Sequence, residues 1–516
     1  MGARPTLNAD AMNEARGWWE TRLVLGTVVV LSSLPLLYPQ VPPLVDLPGH
    51  MGRYRIELDL AHSAWLSRYY DYHWAAIGNL GVDVLVRLLG PLIGLEPAVK
   101  LIVLAIPPLT VAGFLWVARE VHGRIPPTAF FALPFAYSHP FMFGFVNFAL
   151  SMALAFLAFA LWLRLGRLGR PALRAVLFVP ISVLVFFTHT FGWGMLGLLC
   201  FSAEAVRQHD RGVAWFKAGF LAGLHAAVMA LPVLIMLGWR SEIHGGMTSG
   251  WFQLSLKLNW LASVLRDRWR LFDVAALIVV LMVIAEARRR KDLAFSRNLA
   301  FSALVLFAAF LIMPWTVFGS AYADMRLIPY ALAVAVLAIR FRDETKLPAA
   351  RSIAIAGLAF VAIRLAGNMA SLAIASNDQQ EKLAALDHIP TGARVVSLVG
   401  TGCRGWPLNR NTHLGGMVIV RKQGFSNDQW VIEGANLLAL RYRAAGNFSA
   451  DPSQIVVPMG CRVGGIWPID RALKAIPRDR FDYLWLIEPG SFDPKLVVGM
   501  QPVWRGPGSI LYRLNP

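Results

Sequence analysis

Apolar runs of about 15–22 residues recur along most of this chain and are separated by short basic loops. A helix needs about 20 apolar residues to cross roughly 30 Å of hydrocarbon, and its backbone hydrogen bonds are satisfied internally there. The 516 residues are 56% hydrophobic and only 16% charged, whereas charged residues supply about a quarter of a soluble protein. The pattern predicts a polytopic α-helical membrane protein.

Arginine and lysine are concentrated in a few of the loops, and the positive-inside rule places such loops in the cytoplasm. These basic loops are 119–127, 164–174, 207–217, 287–297 and 340–351. About eleven transmembrane helices satisfy the resulting alternation, with the N-terminus inside and the C-terminus outside. They are predicted at 21–38, 98–118, 127–141, 147–163, 174–188, 191–206, 214–236, 271–287, 298–314, 327–340 and 350–370.

The alternation divides the chain into three parts. Residues 1–20 are predicted to be a cytoplasmic segment, 21–375 a membrane domain with a long first outer loop at 39–97, and 376–516 an extracytoplasmic domain. The last part has mixed polar sequence with short strand-like runs, which predicts an α/β domain. These runs are 394–399, 417–420, 455–457, 483–487 and 509–514.

Two segments leave alternatives open. The apolar stretch 77–95 contains Asp83 and Arg87, and counting it as a span would invert every later loop against its charge. We therefore predict an interfacial or re-entrant helix there. The spans on either side of residues 188–190 could instead form one long helix, which would flip the topology beyond residue 190.

The formal net charge of +18 would suggest a nucleic-acid partner in a soluble protein. Here the arginines sit mainly between apolar runs, so they are topology signals, and no nucleic acid is expected as a partner. Attraction to anionic lipid headgroups or to a phosphate-bearing substrate is a second interpretation. The sequence contains no Walker A motif and no GxSxG motif, so neither an ATP-driven pump nor a serine hydrolase of that type is indicated.

Three cysteines occur, and two of them, Cys403 and Cys461, fall in the C-terminal domain. If that domain lies in an oxidising compartment, these two residues could form a disulfide. The sequence alone gives no distance between them, so a free pair is the alternative.

The first outer loop combines a carboxylate, an imidazole and a guanidinium within eight residues: Asp46, His50 and Arg53. Such groups near a membrane are costly unless they are paired, hydrated or used. In the functional interpretation Asp46 is a general base and Arg53 binds phosphate oxygens through its planar fork. In the structural interpretation Asp46 caps the following helix and pairs with Arg53 or Arg55.

Three other outward ends carry polar residues that would lie at the same membrane face. His139 and His189 are candidates for substrate binding, although a lone histidine is more often a hydrated or hydrogen-bonded structural residue. Arg326 opens a predicted span and could bind a lipid phosphate, or it could snorkel to the interface or pair with Asp324. The histidines and Asp46 could in principle hold a metal, but no HExxH or CxxC spacing supports one.

The Val-Asp-Leu-Pro-Gly-His sequence at 45–50 resembles the first outer loop of the GT-C superfamily of polytopic glycosyltransferases. That group includes protein O-mannosyltransferases, the aminoarabinose transferase of lipid A and oligosaccharyltransferases. The Gly-Phe-Val-Asn-Phe sequence at 144–148, His-Thr-Phe-Gly at 189–192 and Arg-Leu-Ile-Pro at 326–329 are further similarities to poorly characterised bacterial members.

The resemblance implies a multi-pass protein of the bacterial cytoplasmic membrane that transfers a sugar from a polyprenyl-phosphate carrier to an envelope acceptor at the outer face. Asp46 would be the base, assisted by His50, and Arg53, His139, His189 and Arg326 would bind substrate or its phosphate. Leu47 stands where many relatives carry a second acidic residue, so no cofactor is firmly implied and a divalent metal stays an alternative. A non-enzymatic scaffold or lipid-binding assembly factor, or a transporter, are the competing interpretations.

Overall fold

The computed structural model describes residues 17–238, 247–317, 319–342, 347–403, 405–431, 437–461 and 463–514. The α-helices before the C-terminal sheet are α1 Arg22–Leu31, α2 Leu47–Asp59, α3 Leu66–Tyr69, α4 Gly81–Ile93, α5 Leu95–His122, α6 His139–Phe143, α7 Val146–Arg167, α8 Pro171–Thr188, α9 Thr190–Asp210, α10 Trp215–Ala226, α11 Leu231–Gly238, α12 Leu254–Ala262, α13 Arg270–Arg289, α14 Arg297–Ile312, α15 Ile328–Leu337 and α16 Leu347–Leu383. Short 3₁₀ helices lie at Trp18–Glu20, Leu34–Leu36, Pro127–Tyr137, Ala227–Met229, Asp324–Arg326, Ala384–His388, Arg443–Phe448, Arg478–Arg480 and Pro494–Val497.

Four helical segments in the described part of the chain are long and apolar enough to cross a membrane. These are α5, α7, α8 and the stretch Pro348–His388, which contains most of α16. The bent pair Trp215–Met229 and Leu231–Leu237, with 62° between its halves, would be a fifth if it forms one span. The protein is therefore a polytopic helical membrane protein, and the count of about eleven spans stays a prediction.

Several segments differ from their predicted form. The span predicted at 127–141 is a buried 3₁₀ helix, Pro127–Tyr137, followed by the five-residue α6. The backbone at His189 is extended, with φ −168° and ψ 132°, and separates α8 from α9, so the single long helix across residues 188–190 is wrong. Helix α4 occupies most of 77–95, and its 13 residues cover only about 20 Å, too short to span.

The C-terminal part contains a sheet, two further α-helices and small connecting elements. Its strands are β4 Arg394–Gly400, β5 Phe425–Ser426, β7 Ile455–Val457, β8 Trp467–Pro468, β9 Tyr483–Ile487, β10 Gln501–Gly506 and β11 Ser509–Arg513, and its helices are α17 Gly416–Lys422 and α18 Ile469–Ala475. The strand order is β10-β11-β9-β4-β7-β8, and β5 also pairs with β4. Strand β4 is parallel to β9, β7 and β5, whereas β11 runs antiparallel to β9 and β10.

The strand predicted at 417–420 is wrong, because these residues lie in α17. All four side chains are buried, and a short fully buried apolar run has no periodicity that separates a strand from a helix. The other predicted strands are present as β4, β7, β9 and β11.

The segment predicted as the first outer loop, 39–97, is built into the C-terminal part. Strand β1, Tyr70–Tyr72, pairs antiparallel with β6, Leu438–Leu440. Helix α17 lies against the start of α2, where a Cβ on Gly416 would come within 2.4 Å of the Pro48 carbonyl oxygen. Only glycine therefore permits this close approach. A second small sheet pairs β2, Leu293–Phe295, with β3, Ile339–Phe341, at the basic ends of the helices.

Candidate active site

Asp46 precedes α2 but does not cap it. Pro48 lies in the first turn of the helix, where its missing N–H costs nothing, and the Asp46 side chain makes no capping hydrogen bond. The Asp46 backbone N–H instead donates to the Phe143 carbonyl at 2.9 Å. Gly144 makes this contact possible, because it has φ +102° and a Cβ there would lie 2.7 Å from the Asp46 nitrogen. The structural interpretation of Asp46 as a helix cap is therefore wrong.

The arginines near Asp46 in sequence have other partners. Arg55 bonds Asp59 at 2.6 Å, one turn further along α2. Arg53 forms a buried ion pair with Asp83 of α4, with N–O distances of 2.9 and 3.0 Å. Asn147 also donates to Asp83, at 3.0 Å. The structure thus places Arg53 where it ties α2 to α4.

The C-terminal part contributes two ionisable side chains to the surroundings of Asp46. His413 Nε2 lies 3.8 Å from Asp46 Oδ1 and 3.8 Å from Asp451 Oδ1. These separations exceed direct hydrogen-bond length but leave the imidazole between two carboxyl groups. We call Asp46, His413 and Asp451 the acid–imidazole cluster.

The environment of Asp46 favours its protonated form. Burial raises the pKa of the Asp46 carboxyl well above its usual range, and the nearby Asp451 charge raises it further. The Arg326 guanidinium acts in the opposite direction. A carboxyl with a raised pKa binds a proton more strongly than a solvated aspartate, which suits a general base.

The tautomer of His413 follows from its other ring nitrogen. Nδ1 lies 3.2 Å from the Asp428 carbonyl oxygen, which can only accept, so Nδ1 carries a proton. Burial lowers the pKa of His413, which favours the neutral ring. In that form Nε2 presents a lone pair toward the two carboxyl groups and can accept a proton from either.

A buried polar run supports this histidine from behind. Residues 426–429 are fully buried, and Ser426 donates to the Asp428 carboxylate at 3.1 Å. Burial raises the pKa of Asp428 to about 7. Gln429 Nε2 donates to the Gly49 carbonyl at 3.1 Å, so residues 426–429 are hydrogen-bonded to the first turn of α2. Trp430 follows and lies between the rings of His413 and His50, at 4.2 and 4.8 Å from their centroids.

Arg326, in the 3₁₀ helix Asp324–Arg326, acts electrostatically on Asp46. Its guanidinium lies over the rings of Phe145, Phe191 and Phe148 at 4.6, 5.0 and 5.7 Å, and Nη1 donates to Ser320 at 3.1 Å. Arg326 Nε has no hydrogen-bond partner among the described residues. Asp324 pairs with Lys257 at 3.1 Å, so the alternative in which Asp324 neutralises Arg326 is wrong.

The two candidate histidines, His139 and His189, occupy different surroundings. His189 accepts the Phe191 N–H at 3.1 Å and thereby caps α9 beside the aromatic rings that hold Arg326. The His139 ring is buried, lies 6.1 Å from the ring of Trp260, and has no hydrogen bond from either nitrogen within the part that the structure describes. Neither ring shows an ion pair with Asp46.

No group of three or more histidine, cysteine, aspartate or glutamate side chains suited to a metal ion occurs among the described residues. Two residues considered as additional ligands, Glu242 and His244, lie outside them. Cys403 and Cys461 form a disulfide with Cα atoms 5.5 Å apart.

His413, Asp451 and Asp428 were not predicted from the sequence. The run of five polar or amphipathic residues at 426–430 is a sequence signal for Asp428 but contains neither His413 nor Asp451, and nothing in that run shows which side chains are buried. The burial arises because α17 and β5 pack against the first outer loop.

No family model matches the chain, and no curated protein matches it. Among solved structures, it is similar to ArnT from Cupriavidus metallidurans in two crystal structures, one in the apo state and one bound to undecaprenyl phosphate. The sequence identities are 13% and 11%, and both TM-scores are 0.47. Each alignment covers 96% of this chain and 97% of the other.

Proposed function

We propose that the protein is an inverting glycosyltransferase that moves a sugar from a polyprenyl-phosphate carrier to a cell-envelope acceptor, with Asp46 as the general base. One observation carries the proposal: the buried Asp46 carboxyl is not used as a helix cap, its Oδ1 lies 3.8 Å from His413 Nε2 in the acid–imidazole cluster, and the Arg326 guanidinium acts on it electrostatically. A loop aspartate with only a structural role would cap the following helix or form an ion pair with a residue close to it in sequence.

In the proposed reaction the acceptor oxygen attacks the anomeric carbon of the bound sugar. The bond from that carbon to the phosphate oxygen breaks, its electron pair leaves with the phosphate, and Asp46 takes the acceptor proton. The raised pKa of Asp46 strengthens it as a base provided that it is ionised before the acceptor binds. Activity should therefore fall as the pH drops through this raised pKa.

Arg326 is assigned to the leaving phosphate. Its open Nε–H and its fixed position over three phenylalanine rings present a preorganised cation, and guanidinium groups bind phosphate through two parallel hydrogen bonds. Such a donor stabilises the negative charge that develops as the phosphate departs. Arg53 is assigned a positioning role, because its ion pair with Asp83 holds the helix that follows Asp46.

His413 and Asp451 are assigned as positioning residues for Asp46. The neutral imidazole holds the lone pair of its Nε2 between the two carboxyl groups, where it can accept a hydrogen bond from whichever of them is protonated. His50 and His139 stay candidates for contacts with the substrate. Membrane lipids and the carrier are the expected partners, and the cluster would lie at the outer face of the cytoplasmic membrane.

The test measures carrier-lipid release in membranes supplied with polyprenyl-phosphate sugars. Asp46→Asn should lower the release at least 100-fold, in the range typical of a lost general base, while thermal unfolding in detergent stays unchanged. Asp59→Asn, on the same helix and in a half-buried pair with Arg55, is the matched control and should keep full activity.

Retained release in Asp46→Asn would overturn the assignment of the base. If wild type releases no carrier from a broad panel of donors, and an envelope phenotype depends on residues 376–516 but not on Asp46, the scaffold is favoured instead. Movement of an intact lipid without release would favour a transporter.

A further inference from the structure

A second group of buried charges lies at the opposite ends of the helices that reach the candidate site. Helices α7, α8 and α9 meet the site at Asn147 and His189, and α8 alone covers about 27 Å over its 18 residues. At the far end, Arg174 and His225 line a cavity of about 140 Å³ with Trp162, Ala175, Leu224 and Val228. We call this cavity the far-end pocket. The distribution of arginine predicts that it faces the cytoplasm.

The charges around the far-end pocket do not balance. Glu204 accepts hydrogen bonds from Arg174 at 3.3 Å, from Arg207 at 3.2 Å and from Gln208 at 2.7 Å. Two guanidinium groups thus share one carboxylate, which leaves one excess positive charge. Arg174 is 3% exposed and paired with the buried Glu204, whereas the second guanidinium, that of Arg207, is 31% exposed, so the excess positive charge lies beside the pocket rather than on an unpaired buried group.

Arg174 is held rigidly at the wall of the pocket. Its guanidinium stacks on the ring of Trp162 at 3.9 Å, and Nη2 donates to His225 Nδ1 at 3.4 Å. With Nδ1 accepting this bond, the ring carries a proton on Nε2, which lies 3.8 Å from Glu204 Oε1, beyond direct hydrogen-bond length. A guanidinium has five N–H groups and the bonds to Glu204 and His225 use two of them, so Arg174 and the His225 Nε2–H can still donate to an anion that has several oxygen acceptors.

The rest of the lining is apolar and continues onto the outer surface of the helices. Leu224 lines the pocket and is itself 62% exposed, and the neighbouring Val176 and Phe220 are 68% and 67% exposed. In a membrane protein such side chains face the acyl chains of lipid. The ligand should therefore be an amphiphile with an anionic head and an apolar tail.

We propose that the far-end pocket binds the phosphate headgroup of an anionic phospholipid, with the phosphate on Arg174 and His225 and an acyl chain along Leu224 and Phe220. Basic pockets between membrane helices are suited to such headgroups. The site lies at the other end of the helices from Asp46 and does not depend on the proposed transferase activity.

Native mass spectrometry of the full chain in detergent tests this proposal. Wild type should retain phosphatidylglycerol at least tenfold more tightly than phosphatidylcholine, because only the former supplies a net negative charge. Ala175→Trp, which fills the cavity and leaves every charge in place, should abolish the difference. Arg174→Gln and His225→Ala should each weaken phosphatidylglycerol binding about tenfold, as expected for a lost charge-assisted hydrogen bond. Arg297→Gln is the control. Arg297 forms an exposed ion pair with Asp210, the last residue of α9, and this variant should bind phosphatidylglycerol as wild type does.

Equal retention of the two lipids by wild type would overturn the proposal, as would unchanged binding in a folded Ala175→Trp variant. If inorganic phosphate alone displaces the lipid at equal concentration, the pocket is a soluble-anion site and the proposal fails. If Arg174→Gln does not fold, the Ala175→Trp variant still tests whether the lipid binds in the far-end pocket. Ala175→Trp keeps the ion pair between Arg174 and Glu204, so it removes no charge partner.

Discussion

The charge of Asp451 should set the acid limit of activity through its effect on Asp46. Both carboxyl groups lie 3.8 Å from the same His413 nitrogen, so the two oxygens are at most about twice that distance apart. Two unit charges within about 8 Å repel by roughly 2 kcal/mol at an effective dielectric constant of about 20. Removing one of them therefore eases ionisation of the other.

Asp451→Asn keeps the shape of the side chain and removes this repulsion. The sign follows from the cause: Asp451 raises the pKa of Asp46, so its neutralisation lowers that pKa. More of Asp46 is then ionised in acid, and the acid limb of the pH–rate profile should move to lower pH. A free energy of roughly 2 kcal/mol corresponds to about 30-fold, and partial exposure of Asp451 reduces the expected gain at acid pH to about tenfold.

The assay is carrier-lipid release at subsaturating donor across the acid range, since the free enzyme's essential groups govern that regime. At neutral pH the variant should be somewhat slower than wild type, because the Asp46 carboxylate has become a weaker base. Asp387→Asn, an exposed aspartate in the C-terminal part, is the control and should leave the profile unchanged. An acid limb that stays in place, or moves to higher pH, in folded Asp451→Asn would refute the coupling between these carboxyl groups.

Two further outcomes are expected. Arg326→Gln should weaken binding of the polyprenyl-phosphate donor about 10- to 100-fold, the equivalent of one charge-assisted hydrogen bond of about 1.5–3 kcal/mol, measured by titration of the carrier in detergent. Arg53→Met should lower the free energy of unfolding by about 3–5 kcal/mol, because it leaves Asp83 buried without its ion-pair partner. The double variant Arg53→Met with Asp83→Leu should recover most of that loss. Thermal or denaturant unfolding measures both.

Each of these has a result that contradicts it. Donor binding that survives in Arg326→Gln would remove Arg326 from the phosphate site, and Arg342→Gln, whose guanidinium bonds the Leu293 carbonyl at the basic end of the helices, is the arginine control. A double variant as unstable as Arg53→Met alone would show that the ion pair stabilises α2 and α4 through more than mutual neutralisation.

The membrane character and several candidate residues could be predicted from the sequence because they follow from local rules. Continuous apolar runs predict helices in lipid whatever their neighbours are, and α5, α7 and α8 appear where the runs are long. Asp46 and Arg326 stand out because an ionised group beside an apolar run is costly and therefore unusual. Shorter runs are less informative: 127–141 forms a 3₁₀ helix over Pro127–Tyr137 followed by the start of α6, and 417–420 lies in a helix, since burial on all sides removes the periodicity on which such predictions depend.

Tertiary packing decided which polar residues interact in the candidate site. The sequence placed Arg53 seven positions after Asp46, but α2 turns its guanidinium to Asp83 of α4, while Arg326 from a distant helix acts on Asp46. His413 and Asp451 come from loops more than 360 residues further along, and close contact between α17 and α2 brings them to the membrane helices. Sequence alone thus indicated a polytopic helical membrane protein and the type of its charged groups. The pairing of those groups depends on distances of a few ångströms between remote segments, which only the folded chain defines.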